Sequence, residues 1–421
     1  MEHRVAEILT QQKLNGWQFD EQRAWELEST LRRELEEITQ VLRGQFPLIG
    51  GALFTPKRNN RTSGYVEGAQ FTRLKEFNPT SRDHIAWILK EHFGWKPTQL
   101  TPTKIVEQKG VQKQIGGKPV IDEVILNEIN SPFSKQCARA LDLTKKLGMI
   151  SEGVNAYLKL CTTSKRIHHH CSVATITHRC AHRRPNLAQT PSDLEFRKLF
   201  TASPGMVMVG ADLSGIELRM LAHYLAKYDG GRYADILLNG DIHQTNADKI
   251  GVSRRQVKTI SYAMIYGAGD QKLGASFDAS LSQEAAKRKG KEIRKAFVDA
   301  IPGLSDLLKG VKQAAKRGYL RSIDGRYILC DKGHQSLNYL LQSGAAIIAK
   351  RWMVLANENL PETTRQLAFI HDELQFECEK KDVKDLMFLL ELSAVQAGEY
   401  YKLRVPIAAE SKAGMNWAEV H

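Results

Sequence analysis

Residues 205–228 read "GMVMVGADLSGIELRMLAHYLAKY", an apolar run, a polar break and an amphipathic run in close succession. Met206 to Ala211 are apolar enough for a buried strand, and Asp212 to Gly215 supply turn chemistry. From Ile216 onward, Leu218, Leu221, Ala222 and Leu225 recur at helical spacing. Asp212 therefore stands where a buried strand ends. A second apolar stretch, "AFIHDELQFE" at 368–377, sets Asp372 and Glu373 between Ala368, Phe369 and Ile370 on one side and Leu374 and Phe376 on the other. An unpaired carboxylate in such surroundings costs several kcal/mol, so both acids need a cation or a hydrogen-bond donor.

Two carboxylates from separate strands that meet at a sheet edge are a usual way to hold Mg²⁺. This hard ion takes a few carboxylates together with phosphate and water oxygens. Two such ions clamp the attacking and leaving oxygens of an in-line phosphoryl transfer. Taken singly, each acid is explained as well by an arginine or a backbone donor. The stretch "SRRQVKTISYAMIYGAGD" at 253–270 tips the balance. Ser253 with Gln256 three residues later predicts a capping box and a well-marked helix start. Arg254, Lys258, Tyr262 and Tyr266 then fall on one face, a row of about 18 Å. That length suits a nucleoside triphosphate, with cations toward the phosphates and a ring toward the sugar and base. A solvated basic stripe accounts for the two cations but not for two tyrosines on the same line. Gly267 and Gly269 end the helix.

The rest of the chain reads as α+β. Asp20 is a good N-cap for a helix through residue 43, whose apolar stripe is Ala24, Leu27, Leu31, Leu35, Ile38 and Leu42. Residues 47–77 form a Gly-, Asn- and Arg-rich basic excursion, and 101–121 a polar connector. Helical patterns dominate from about 225 to 320, "SIDGRYILC" reads as a strand after a turn, and residues 338–360 as a long apolar helix.

Across 421 residues, 60 Lys and Arg against 47 Asp and Glu leave a net charge of +13, which favours a polyanionic partner. No signal peptide and no apolar run of about 18 residues is visible, so the expectations are a cytoplasmic location and no membrane partner. The six cysteines form no C-x-x-C pair and read as free thiols in a reducing compartment.

The segments "DLSGIELRMLAHYLA", "DIHQTNADKIG", "RRQVKTISYAMIYGAGD", "DGR", "LNYLLQSGAAIIAK" and "HDELQ" occur in an order and spacing that resemble the family A (Pol I-type) DNA polymerases. The nearest likeness is to the replicative polymerases of short-tailed phages. "FNPTSRDHI" and "RRPNLAQTP" extend the resemblance over nearly the whole chain. It implies a right-hand polymerase fold with an antiparallel-sheet palm, helical fingers and a helical thumb. The thumb would be 1–159, the palm 160–224 and 338–421, and the fingers 225–337. It further implies template-directed addition of dNTPs to a primer with two Mg²⁺ ions.

By the same resemblance, Asp212 and Asp372 would bind the metals together with the Leu213 carbonyl, and Glu373 would lie near them. Arg254, Lys258 and His243 would hold the triphosphate, with Lys258 also placed to protonate the leaving pyrophosphate. Tyr262 would pack on the incoming sugar, and Glu217 beneath it would exclude a ribose 2′-hydroxyl. Tyr266 would stack near the template base. Arg179, Arg326, Asn338, Gln342 and His371 would hold the primer terminus and the nascent minor groove. Single-subunit RNA polymerases lack an acid at the Glu217 position and carry Ser after the second Asp, so Glu217 and Glu373 argue for DNA synthesis.

Three features depart from the family pattern. Thr177-His178-Arg179 stands where relatives have Thr-Gly-Arg. The surrounding segment is dense in His168, His169, His170, Cys171, His178, Cys180 and His182, yet no pair has the usual C-x₂₋₄-C plus H-x₃₋₅-H spacing of a zinc site. Basic residues that contact DNA are the plainer account. Lastly, the chain starts almost at the thumb helices, so no 3′–5′ exonuclease is expected. The expected partners are primer–template DNA and dNTPs, with a separate exonuclease, helicase or processivity factor as further candidates, and the expected state is a monomer. The 47–77 excursion is read as touching DNA directly rather than binding a clamp.

Overall fold

The computed structural model describes residues 1–97, 99–108, 111–173, 175–278, 281, 283–330 and 333–421. They form two compact units, one made of Met1–Ala24 with Asn155–His421 and the other of Trp25–Val154. Among the described residues no helix is long and apolar enough to cross a membrane.

The first unit is organised on a four-stranded antiparallel sheet, in the order Arg365–Ile370, Glu373–Glu379, Met206–Leu213 and Ala409–Gly414. The strand Met206–Leu213 takes an inner position, with Met208 to Ala211 and Leu213 buried and Asp212 exposed. Helix Ser336–Asn357 is apolar on almost every side and buried accordingly. It packs on helix Val383–Tyr400, which in turn lies on the sheet. Val209, Phe369, Leu374, Phe376, Ile348, Trp352 and Leu390 belong to this core. The Trp352 indole N–H finds the Leu390 carbonyl at 2.8 Å, so its polar edge is not left unpaired.

Two sequence expectations change here. The strand runs on to Leu213, so Asp212 lies in the sheet and not in the turn. Neighbouring strands on both sides extend the ladder past the apolar run. The stretch 368–377 is not one strand but a hairpin. Ile370 pairs with Glu373, which leaves His371 and Asp372 as its two-residue turn, with His371 at φ +59°. A non-glycine residue in this left-handed region costs roughly 1–2 kcal/mol. Such strain persists where the surroundings dictate the conformation, often at functional sites.

In the second unit, Leu42, Ile49, Phe77, Ile85, Leu89, Leu126, Phe133 and Cys137 form the core. The helix expected from Asp20 runs over Glu21–Gln45, and the Asp20 carboxylate accepts from the Arg23 amide at 3.0 Å. The basic excursion is more ordered than its composition suggested, with Leu48–Phe54 and Phe71–Glu76 paired as a hairpin. Phe54, Tyr65 and Phe71 gather with ring centroids 5.4–5.6 Å apart, and the Arg73 guanidinium lies 3.7 Å above Phe54. The connector likewise holds paired strands, Lys104–Gln108 and Val111–Ile115, with residues 109 and 110 outside the described residues.

Candidate active site

Asp212 stands directly opposite Glu373 on one neighbouring strand and Glu410 on the other. Directly opposed residues share a face of the sheet, so three carboxylates point the same way. Asp372 joins them from the hairpin turn, whose carbonyl accepts from the Leu213 amide at 3.0 Å. The chain then swings from strand to helix through Gly215 at φ +56°, a conformation glycine adopts without steric cost. This brings Glu217 into the first turn of helix Ile216–Asp229, where it is buried. Its carboxylate accepts from Arg179 at 2.6 Å and from the Tyr266 hydroxyl at 3.1 Å.

The acids divide into two kinds. Burial, then Glu217 and Asp212, push Asp372 up to about 7. Asp212, open to solvent on one side, is pushed up to about 6 by burial and by Glu373. Both are carboxylates whose ionised form lacks compensation. Glu373 is the opposite case. Gln375 and the Trp417 indole each donate to it at 2.6 Å, and His421 lies at 3.2 Å. The donor chemistry of Asp212 and Asp372 fits a hard divalent cation, whereas Glu373 is already supplied by protein donors.

Above the acids lies helix Arg254–Ile265, whose expected capping box of Ser253 and Gln256 is present. The helix ends one residue before Tyr266, and Gly267 follows at φ +71°. The Tyr262 and Tyr266 rings stack with centroids 6.5 Å apart, so the row continues past the last helical residue. Burial and the charges of Glu217, Asp372 and Asp212 raise the Tyr262 hydroxyl above its ordinary value, which places this ring in the field of the acids.

At the far end, Arg254 pairs at 2.6 Å with Asp241, which also accepts from the His243 and Gln244 amides. The His243 ring lies 6.3 Å from Tyr262. Burial, with Arg254 and Lys258 nearby, disfavours its protonation. His243, Arg254, Lys258, Tyr262, Tyr266 and Glu217 are thus brought together.

The remaining expected contacts hold protein groups. Asn338 donates to the Ile265 carbonyl at 3.0 Å and so fixes the end of the tyrosine-bearing helix. Gln342 follows one turn later on helix Ser336–Asn357. Arg326 is engaged by Asp324 and Glu2, and buried Lys350 also reaches Glu2, at 3.0 Å. His178 takes up φ +62°, a backbone suited to the glycine that relatives carry, and its ring bonds Ser343 at 2.7 Å. Burial brings His371 down to about 4, so its ring is neutral at pH 7. Sequence reading missed Glu410, Gln375, Trp417, His421 and Glu2. The segment around Glu410 has no clear alternation, and Trp417 offered only its size as a signal.

An antiparallel sheet with acids at its strand ends, faced by a helix carrying cations and tyrosines, is the architecture of the template-directed polymerases. The family model for DNA polymerase family A matches residues 58–419, and the chain belongs to that family as a DNA-directed DNA polymerase. The DNA-directed DNA polymerase of Enterobacteria phage T3 is 30% identical over all of this chain and 70% of its own length. That of Escherichia phage T7 is equally similar, at 30% over the same shares. Among solved structures, the POL domain of Pol1 from M. smegmatis, in complex with DNA primer-template and dNTP, superposes with a TM-score of 0.78 at 21% identity. The match covers all of this chain and 70% of that one.

Proposed function

We propose that the chain extends a DNA primer 5′ to 3′ by attack of its 3′-hydroxyl on the α-phosphorus of a template-paired dNTP, with pyrophosphate leaving. The observation that carries this reading is the placement of Asp212 opposite Glu373 and Glu410 in the sheet and of Asp372 in the turn bonded to the Leu213 amide, with Tyr262 in the field of these acids. Asp212, Asp372 and the Leu213 carbonyl would hold two Mg²⁺ ions. When bound, these ions supply charge neutralisation at the attacking and leaving oxygens.

The chain's own groups do the positioning. Arg254, Lys258 and His243 take the triphosphate, and Tyr262 packs on the sugar. Lys258 gives a proton to the leaving pyrophosphate. Glu373, whose Oε1 accepts from Trp417 and Gln375, positions the turn next to it. Arg179, Arg326, Asn338, Gln342 and His371 line the primer side, and Tyr266 the template side. In this reading the thumb is 1–159, the palm 160–224 and 338–421, and the fingers 225–337.

Glu217 tests the sugar assignment. Glu217→Ala is expected to admit ribonucleotides better by roughly 10- to 100-fold in kcat/KM, with dNTP use retained. Ribonucleotide discrimination equal to wild type would remove the gate from Glu217. Tyr262 makes a second test, because its hydroxyl replaces the polar contact that a missing 3′-hydroxyl loses. Dideoxynucleotides should terminate synthesis efficiently, and Tyr262→Phe should suppress termination by about 10-fold. Equal termination by both proteins would sink that role. Finally, these 421 residues are expected to synthesise without 3′–5′ excision. A primer with a mismatched 3′ end, incubated with Mg²⁺ and no dNTP, should keep its length, and shortening would contradict this.

A further inference from the structure

We propose that His169, Cys171 and His182 form a structural site for a soft divalent cation of the Zn²⁺ type, with the amide oxygen of Gln12 as the fourth ligand. All three side chains are buried, and one donor atom from each lies within 4.8 Å of the others. The arrangement follows from local structure. Strands His170–Ser172 and Ala181–Arg183 pair with Cys171 directly opposite His182. His169 lies two residues before Cys171, on the same side of an extended chain. A hairpin therefore gathers what no sequential spacing revealed.

The distances suit the ion. The Cys171 Sγ is 3.2 Å from His182 Nδ1, and the Gln12 amide nitrogen lies 3.0 Å from His169 Nε2 and 3.6 Å from Cys171 Sγ. Tetrahedral Zn²⁺, with nitrogen at about 2.0–2.1 Å and sulfur at about 2.3 Å, spaces its donors about 3.5 Å apart. A contraction of about 1 Å closes the cluster.

The atoms that face one another are His169 Nε2, Cys171 Sγ and His182 Nδ1. The opposite ring nitrogens, His169 Nδ1 and His182 Nε2, are buried without protein partners, and so is the Gln366 Oε1 atom. Gln366 donates its amide to Gln12 Oε1 at 2.8 Å. The two orientations of an amide differ only in where O and N are placed. Turning both amides over keeps a hydrogen bond between them, now to the Gln366 oxygen, gives up the Gln366 contact with Met353 Sδ at 3.2 Å, and presents Gln12 Oε1 to the cluster.

The exposed neighbours behave differently. His168 bonds the Lys13 carbonyl and His170 lies against Arg183, so contact with DNA remains an account for those two. It does not reach the buried three. The His182 ring meets His371 edge-on at 5.6 Å, so the ion would brace the hairpin beneath the turn that carries Asp372. On binding, the Cys171 S–H bond breaks, sulfur keeps the electron pair for the metal and the proton goes to solvent.

The test is a Co²⁺ titration of the full chain, first dialysed against chelator and then held in excess Mg²⁺. One equivalent should bind per chain with a thiolate-to-cobalt charge-transfer band, and Zn²⁺ should abolish the band. Cys171→Ser should lose the band, while Cys161→Ser and Asp212→Asn keep it, with circular dichroism confirming that each variant folds. Absence of the band in the wild-type chain at saturating Co²⁺ overturns the proposal without reference to any variant. Its persistence in Cys171→Ser overturns it as well.

Discussion

Replacing Asp372 with asparagine is expected to slow nucleotide addition by about 10³-fold or more while making the metal-free chain more stable near pH 7.5. The loss of rate follows from removing one of two carboxylates that share the proposed cation site. The gain in stability follows from linkage. Asp372 is pushed up from an ordinary 3.8 to about 7, so the folded chain holds this proton more tightly than the unfolded chain does. The stabilisation is complete below about pH 4 and is lost as pH rises through about 7. At pH 7.5 the ionised, buried carboxylate opposes folding by something on the order of 4 kcal/mol, which asparagine relieves. Thermal unfolding in chelator at pH 5 and pH 7.5, beside single-nucleotide extension rates, checks both halves. A variant less stable than wild type at pH 7.5, or within tenfold of its rate, would contradict the assignment.

Lys258→Ala should cost roughly 10²- to 10⁴-fold in the rate of the chemical step, the range found for a positioned general acid. Lys258 is exposed on the row between Arg254 and Tyr262, one turn from each, and its charge bears on His243. Lys258→Arg separates its two roles. It retains the charge that binds phosphate but not a proton that can be given up near neutral pH. The arginine variant should therefore recover KM for dNTP but not kcat. A defect confined to KM would reduce Lys258 to a binding contact.

What could be read from the sequence, and what could not, divides along contact distance. The helix start at Ser253, the row ending in Tyr262 and Tyr266, and the strand-to-helix step around Asp212 are local patterns, and local patterns carry their own signal. The identity of the turn at His371–Asp372 escaped notice because the segment holds neither glycine nor asparagine. The contacts of Glu373 with Trp417 and His421 come from the far end of the chain, and Glu2 meets Arg326 and Lys350 across more than 300 residues. Pairings of that range leave no periodicity. Cys171 and His182 are the instructive case between these extremes, since their pairing is set by a short hairpin that the dense histidines concealed.

Asp212 and Asp372 at the sheet edge are proposed to carry Mg²⁺-dependent nucleotidyl transfer. The most direct measurement is single-turnover extension of a primer–template by wild-type chain and by Asp212→Asn as Mg²⁺ is titrated, with DNA binding followed in parallel. Wild type should reach a saturating rate with Mg²⁺, and Asp212→Asn should stay about 10³-fold slower while holding DNA with unchanged affinity. Extension by Asp212→Asn within tenfold of wild type, or extension by wild type that needs no divalent ion, would contradict it.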